Sequence, residues 1–149
     1  MELKEILLAE DNPKDVELTL KAMSKNKVAN NVVVVNDGVE ALEYLRCEGK
    51  FNGRITGPPA VVLLDIKMPR MDGLEVLQAI RKDPALKMLP VVMLTSSREE
   101  QDLIRSYELG VNAYVVKPVE FNEFIEAAKI LGIFWAMLNE VPPLKGTIQ

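Results

Sequence analysis

The sequence predicts an α/β protein in which five parallel strands alternate with five helices in a doubly wound sheet. Three observations lead to this prediction: five short apolar runs, segments of helical periodicity between them, and polar residues at the carboxyl ends of the runs. Each run is four or five residues long and continuous rather than alternating. Such runs are typical of strands that helices bury on both faces.

The predicted strands follow directly from the apolar runs, most of which are rich in β-branched residues. In chain order they are Ile6–Ala9, Val32–Val35, Ala60–Leu64, Val91–Leu94 and Ala113–Val116. The longest apolar stretch of the chain lies near 130–138, where Gly132 interrupts it, and it is too short to cross a membrane.

Residues that begin helices stand between the first four strands. Asn12 followed by Pro13 places a capping residue before a proline at the first helical position. Asp37 is placed to cap the second helix, and Gly73 opens the third. Each segment continues with apolar residues on one helical face, so we expect three helices that pack against the sheet.

Two further helices complete the alternation. Ser97 and Glu100 form a capping-box pattern, and Gly110 is a suitable residue to follow the end of that helix. A last helix is predicted from about Glu120 to about Leu138. We therefore expect one domain over residues 1–138, an extended tail over 139–149, and no output domain.

The composition is that of an ordinary globular protein. The chain has 149 residues, of which 48% are hydrophobic and 27% are charged, which is enough apolar material for a core. The net charge of −4 disfavours nonspecific nucleic-acid binding, which usually shows a basic patch. The single cysteine, Cys47, cannot form an internal disulfide, so we expect a cytoplasmic protein. The lack of histidine excludes His-based catalytic triads and most zinc sites.

Charged and hydroxyl residues stand at the carboxyl ends of four runs. Glu10 and Asp11 follow the first, Asp65 the third, Thr95 the fourth and Lys117 the fifth. In an open parallel sheet, these ends lie at one edge, where ligands bind. Any one of these residues could simply begin a polar loop, but three neighbouring carboxylates repel one another unless their pKa values rise or a hard cation joins them. Without histidine, Mg²⁺ is favoured over zinc.

These residues and their surroundings resemble a known family. The residues and motifs concerned are Glu10-Asp11, Asp65 within LLDIKMPRMDG, Thr95 within MLTSS and Lys117-Pro118 within AYVVKP. Together they resemble the receiver domain of two-component response regulators, over about residues 4 to 138. The resemblance implies a flavodoxin-like (βα)5 fold with strand order 2-1-3-4-5. The long loop before the third strand, the stretch RSYELGVNAYVVKP and a terminal helix ending in FW resemble single-domain regulators of cyanobacterial-type phytochrome kinases.

The resemblance also implies roles for the site residues. Asp65 resembles the phosphoacceptor, and Lys117 and Thr95 resemble the groups that bind the phosphoryl oxygens. Tyr114 stands at the position of the switch aromatic residue, and the peptide bond before Pro118 is expected to be cis. The expected ligands of Mg²⁺, with Mn²⁺ tolerated, are Asp11, Asp65, the backbone carbonyl of Lys67 and, through water, Glu10.

The resemblance further implies a signalling protein rather than an enzyme. Its expected partner is a sensor histidine kinase or a phosphotransfer protein, and it is not expected to bind nucleic acid or a membrane. Lys67 and Ser97 are expected to influence the lifetime of the aspartyl phosphate. The last helix has two apolar stripes. We expect Phe121, Ile125, Ala128, Leu131 and Trp135 to face the sheet, and Phe124, Ala127, Ile130, Phe134 and Met137 to form a homodimer or partner surface with the fifth strand, unless the tail or a neighbouring helix covers that second stripe.

The sequence disfavours three other classes of protein. A haloacid-dehalogenase-type phosphatase needs a general acid two residues beyond its nucleophile, where this chain has Lys67. A flavodoxin-like flavin binder needs a phosphate-binding loop of Ser, Thr and Gly after the first strand, where this chain has the acidic Glu10-Asp11. A degenerate receiver that acts only as a scaffold would lack site residues, whereas all five are present.

Overall fold

Five parallel strands form one sheet in the computed structural model, which describes residues 5–24, 31–55, 57–95, 105 and 108–130. The strands are β1 (Ile6–Ala9), β2 (Val32–Val35), β3 (Val61–Asp65), β4 (Val91–Thr95) and β5 (Ala113–Val116). Their order across the sheet is β2-β1-β3-β4-β5, as predicted. The predicted strands are thus confirmed, with a shift of one residue at each end of β3 and an extension of β4 by Thr95.

Four helices are described: α1 (Pro13–Met23), α2 (Gly38–Arg46), α3 (Gly73–Lys82) and α4 (Phe121–Ile130). The predicted helix that Ser97 would cap lies mostly outside the described residues, as do the end of the last helix and the tail over 139–149. Gly110, predicted to follow that helix, has a φ of +82°, which suits glycine. Within the described part of the chain, no helix is both long and apolar enough to cross a bilayer.

The side chains of the sheet alternate between two apolar cores. Leu7, Leu64 and Met93 point to one face, where α2 and α3 cover them. Residues adjacent to these in the same strands, such as Leu8 and Leu63, point to the other face and pack against residues of α1 and α4. The three central strands, β1, β3 and β4, are buried along their whole length, whereas β2 and β5 at the edges are partly exposed. This pattern explains why the central runs are continuously apolar.

Capping side chains begin the first three helices. The Asn12 side chain accepts from the backbone N–H of Lys14 at 2.9 Å, and that of Asp37 accepts from the N–H of Glu40 at 2.9 Å. Before α3, Asp72 and Glu75 form a reciprocal capping box. Both caps predicted for α1 and α2 are therefore present, and α3 has a cap that the sequence analysis did not identify.

The long loop before β3 is packed against α2. It contains a short 3₁₀ turn at Gly49–Phe51, and the Phe51 ring meets the Tyr44 ring edge to face at 5.1 Å. The Arg54 guanidinium lies 4.1 Å from the centroid of the Tyr44 ring and donates to the Tyr44 carbonyl at 2.9 Å. These contacts with the ring and the backbone carbonyl of Tyr44 fix the course of the loop.

The buried face of α4 differs from the prediction. Phe124 is 1% exposed and packs in the core that covers the α1 and α4 face of the sheet, so its assignment to an exposed partner surface is wrong. Ala127 and Ala128 are buried beside it, whereas Phe121 and Ile125 are only partly buried. The two predicted stripes were similarly apolar, so the sequence did not decide between them. The face that meets the sheet lies between the stripes and takes residues from both. Ile130 is 77% exposed, and Phe134, Met137, Leu131 and Trp135 lie outside the described residues.

Replacing Phe124 by alanine is expected to lower the free energy of unfolding by about 3–5 kcal/mol, because a buried ring is lost and a cavity remains. Ile130→Ala is the matched control on the same helix, and its exposed position predicts a change within about 0.5 kcal/mol. Urea unfolding followed by circular dichroism measures both values. Similar small losses in the two variants would contradict the observed orientation of α4.

Candidate functional site

An open cleft of about 190 Å³ lies at the carboxyl ends of the central strands. The residues that line it are Glu10, Asp11, Asn12, Asp15, Asp65, Ile66, Lys67, Thr95 and Lys117. The structure thus brings together the five residues that follow the strands in the sequence. They come together because the carboxyl ends of parallel strands lie at the same edge of the sheet.

Three carboxylates are grouped at one side of this cleft. Glu10 and Asp65 are buried, while Asp11 is exposed to solvent. One carboxylate oxygen from each lies within 4.8 Å of the other two. Oxygen ligands of this kind suit a hard cation such as Mg²⁺, which also keeps several of its own waters, and the exposed Asp11 leaves room for them.

Lys117 is the cationic centre of the cleft. Its ammonium group contacts carboxylate oxygens of Glu10 and Asp15 at 2.9 Å each and of Asp65 at 3.2 Å. The Lys117 side chain is 8% exposed, so these ion pairs are shielded from bulk water. The three N–H donors of the ammonium therefore match three carboxylates. Lys117 thus forms an ion pair with Asp65, the expected phosphoacceptor.

Asp15 is the site residue that the sequence analysis missed. It lies in the first turn of α1, where an acidic residue ordinarily stabilises the positive end of the helix dipole. In the sequence, the available indication of a role in the cleft was its position four residues after Asp11. Only the fold reveals that Lys117, from the opposite end of the chain, reaches this carboxylate.

The loop after Asp65 is closed by a glycine. The Gly73 N–H donates to the Ile66 carbonyl at 2.8 Å, and a Cβ atom at Gly73 would lie 2.1 Å from the Asp65 carbonyl oxygen. No side chain fits at that distance. The loop between them therefore returns tightly to the start of α3, and Lys67, two residues after Asp65, lies in the wall of the cleft.

The remaining predicted residues lie on β4 and β5. Thr95 is buried at the end of β4, where its carbonyl accepts from the backbone N–H of Lys117 at 2.8 Å. Tyr114 is partly buried and packs against the core on the α2 and α3 face. The peptide bond between Lys117 and Pro118 is cis, as expected.

Burial and like charge change the protonation of Asp65. Desolvation and the neighbouring Glu10 carboxylate raise the pKa of Asp65 to about 7, although Lys117 acts in the opposite direction. Burial alone would lower the pKa of Lys117, but its hydrogen bonds to Asp15 and Glu10 and the charge of Asp65 raise it. The ammonium thus stays protonated, and the cleft holds more negative charge than one lysine can balance. A divalent cation would supply the missing charge.

Comparison with known proteins identifies relatives over nearly the whole chain. The family model of the response regulator receiver domain matches residues 6–129. The response regulator Rcp1 of Synechocystis sp. (strain ATCC 27184 / PCC 6803 / Kazusa) is 35% identical over 139 residues, which are 93% of this chain and 93% of Rcp1.

Solved structures extend this comparison. The structure of the bacteriophytochrome response regulator AtBRR matches with a TM-score of 0.84 and 64% identity, covering 94% of this chain and 100% of that one. The phosphorylated cyanobacterial phytochrome response regulator RcpA matches with a TM-score of 0.74 and 38% identity, over 95% of this chain and 98% of RcpA. The Mn²⁺-bound form of Rcp1 matches with a TM-score of 0.72 and 34% identity, over 95% and 99% of the two chains.

The raised pKa of Asp65 predicts a pH-dependent difference between the metal-free protein and Asp65→Asn. The folded protein retains a proton on Asp65 that the unfolded chain loses above its ordinary pKa of 3.8, so the associated stability is complete below that pH and is lost as the pH rises toward about 7. The variant has no such proton. Its free energy of unfolding should therefore rise relative to wild type across this range, by at most about 1.4 kcal/mol per pH unit.

Urea unfolding at several pH values in the presence of EDTA measures this difference, and comparison with wild type removes the contribution of titrating groups that do not interact with Asp65. A constant difference across the range, or a decrease, would contradict a raised pKa at Asp65.

Proposed function

The chain belongs to the response regulator receiver family, and from that membership and the geometry of the cleft we propose that it accepts a phosphoryl group on Asp65 from a sensor histidine kinase. The observation that carries this proposal is the placement of Asp65. Its buried carboxylate lies 3.2 Å from the Lys117 ammonium and within 4.8 Å of two more carboxylates that could share a cation with it.

The acidic cluster is proposed to hold Mg²⁺. Asp11, Asp65 and the backbone carbonyl of Lys67 would be its ligands, and Glu10 would act through water. A bound divalent cation neutralises charge on the incoming phosphoryl oxygens, which the clustered carboxylates alone would repel. The Mn²⁺-bound structure of the relative Rcp1 supports an ion in this position, and Mn²⁺ is expected to replace Mg²⁺.

We propose that one N–H of the Lys117 ammonium changes its acceptor during the reaction, from Asp65 to a phosphoryl oxygen. When an Asp65 oxygen bonds to phosphorus, the bond between phosphorus and the donor nitrogen breaks, and the donor imidazole retains that electron pair and takes up a proton. Asp65 then loses its carboxylate charge, so the N–H that faced it can donate to a phosphoryl oxygen. Glu10 and Asp15, each 2.9 Å from the ammonium, would hold Lys117 in place throughout.

The switch is proposed to pass along β4 and β5. Thr95 lines the cleft, and its hydroxyl would donate to the phosphoryl group. Movement of Thr95 would make space into which Tyr114 turns. The two residues lie on adjacent paired strands, where Tyr114 pairs with Met93, two residues before Thr95. Phosphorylation would thereby alter the surface formed by β5 and α4.

That surface has the properties of a partner site, which would here be a second copy of the chain or another protein. An apolar groove of about 460 Å³ runs between β5 and α4, and its apolar lining comes from Ala113, Tyr114, Val115, Val116, Ala127 and Ile130. β5 is an edge strand, and Ile130 projects beside it with 77% exposure. Phe134 and Met137 remain proposed members of this surface on the basis of the sequence alone.

A phytochrome-type kinase is the proposed source of the phosphoryl group. AtBRR is described as a bacteriophytochrome response regulator and is 64% identical to this chain, and RcpA is described as a cyanobacterial phytochrome response regulator. We infer that the receiver domain covers residues 1–138, with 139–149 as a tail, and that signalling proceeds through phosphorylation-dependent binding.

Incubation with a small phosphodonor and Mg²⁺ is expected to add one phosphoryl group to the wild-type protein, and intact-mass spectrometry detects the gain. Asp65→Asn should abolish it, because the amide cannot form the acyl phosphate. Asp83→Asn is the matched control, since this aspartate lies at the far end of α3 and pairs with Arg46. No gain in the wild type, or an undiminished gain in Asp65→Asn, would contradict the proposal.

Ile130→Glu is expected to weaken phosphorylation-dependent association, because it places a charge on the apolar groove without removing a buried contact. The molecular mass in solution, measured with and without a phosphate mimic, reports the change. Ile55→Glu is the control, as Ile55 is 96% exposed in the loop before β3. A wild-type monomer in both states would exclude the homodimer and leave another protein as the partner.

A further inference from the structure

The loop that follows Asp65 is fastened to the start of α2 at two adjacent points. The Arg70 guanidinium donates to both carboxylate oxygens of Asp37, at 2.8 and 3.1 Å. The Met71 carbonyl accepts from the backbone N–H of Gly38 at 3.1 Å. A side-chain fork and a backbone hydrogen bond thus tie the outer part of this loop to a neighbouring helix.

The close approach at Gly38 shows how tightly these segments meet. A Cβ atom at this position would lie 2.2 Å from the Met71 carbonyl oxygen and 2.7 Å from Val76. The first residue of α2 therefore contacts the loop backbone directly. Any displacement of the loop would have to break this contact together with the ion pair of Arg70.

Arg70 holds a backbone conformation that arginine rarely adopts. Its φ is +63°, in the left-handed region that favours glycine, so the turn is strained at this residue. The Arg70 side chain is 56% exposed, yet it forms a two-point contact with a carboxylate that is only 10% exposed. The planar guanidinium matches both oxygens of Asp37, a geometry that lysine cannot reproduce.

The same loop carries the backbone that borders the cleft. It leaves β3 at Asp65, passes Lys67 in the wall of the cleft, and closes where the Gly73 N–H meets the Ile66 carbonyl. Its base is therefore fixed by a backbone hydrogen bond, and its outer part by Asp37 and Gly38. Along the chain, Lys67 lies between these two attachments.

We propose that Arg70 is a positioning residue for the cation, and that its ion pair with Asp37 holds the Asp65 loop in the shape that presents the Lys67 carbonyl to the metal. This inference rests on the proposed function of the cleft. Partners that orient ligands without touching the metal commonly influence its affinity. Asp37 also caps α2, so its ion pair with Arg70 connects the loop to the start of that helix.

Arg70 could affect Mg²⁺ binding through its charge or through its contact with Asp37, and these two effects on the affinity have opposite signs. A guanidinium near an acidic cleft repels Mg²⁺, so its removal would strengthen cation binding if charge were its only effect. Removal of a positioning contact acts in the opposite direction, because the loop must then be ordered when the cation binds. The sign of the change in Mg²⁺ affinity therefore decides between the two.

The test compares Arg70→Gln with Arg46→Gln by titration calorimetry with MgCl₂. Both variants remove one positive charge and one arginine–aspartate ion pair, but Arg46 lies at the other end of α2 and pairs with Asp83 at 3.3 Å. The dissociation constant for Mg²⁺ is expected to rise about tenfold in Arg70→Gln and to stay near the wild-type value in Arg46→Gln. A tenfold rise is at the lower end of the effects seen for residues that orient metal ligands without touching the metal. Thermal unfolding should show similar stability for both variants.

An unchanged or lower dissociation constant in Arg70→Gln would overturn the inference while leaving the proposed function intact. A wild-type protein that bound no Mg²⁺ would instead contradict the metal site itself. Equal weakening in both variants would also overturn the role of Arg70, because the effect would then follow from a general loss of stability and not from the contact with Asp37.

Discussion

The buried ammonium of Lys117 is the interaction on which the rest of this site depends. It contacts three carboxylates, from the end of β1, the first turn of α1 and the end of β3, and its own strand is the last of the sheet. Without this charge, Glu10 and Asp65 would be two carboxylates buried side by side. With it, they remain close, but the cleft still carries an excess of negative charge that favours a divalent cation.

Backbone geometry gives these charges fixed positions. The strands β1, β3, β4 and β5 end at one edge because they are parallel and in register, and the Lys117 N–H is bonded to the Thr95 carbonyl. Close approaches at Gly73 and Gly38 leave no space for a side chain, so the loop after Asp65 follows one path. The cleft is thus organised before any ligand arrives, which suits a reaction that depends mainly on positioning and charge.

β5 joins the two regions that matter for the proposed signal. Its carboxyl end leads into Lys117 in the cleft, while Tyr114 and the rest of the strand line the apolar groove beside α4. Lys117, which contacts the proposed phosphoacceptor Asp65, is therefore separated from the proposed partner surface by a few residues of one strand. The exposed Ile130 and the buried Phe124 divide α4 into a face for that groove and a face for the core.

The sequence alone determined the five strands, the buried character of the three central ones, two helix caps and the convergence of Glu10, Asp11, Asp65, Thr95 and Lys117. These features are local or follow from the rule that parallel strands end at one edge. Tertiary structure alone decided which face of α4 meets the sheet, because its two stripes were almost equally apolar. It also decided the contacts of Asp15 with Lys117 and of Arg70 with Asp37, because these partners are distant in sequence and no spacing along the chain records such a contact.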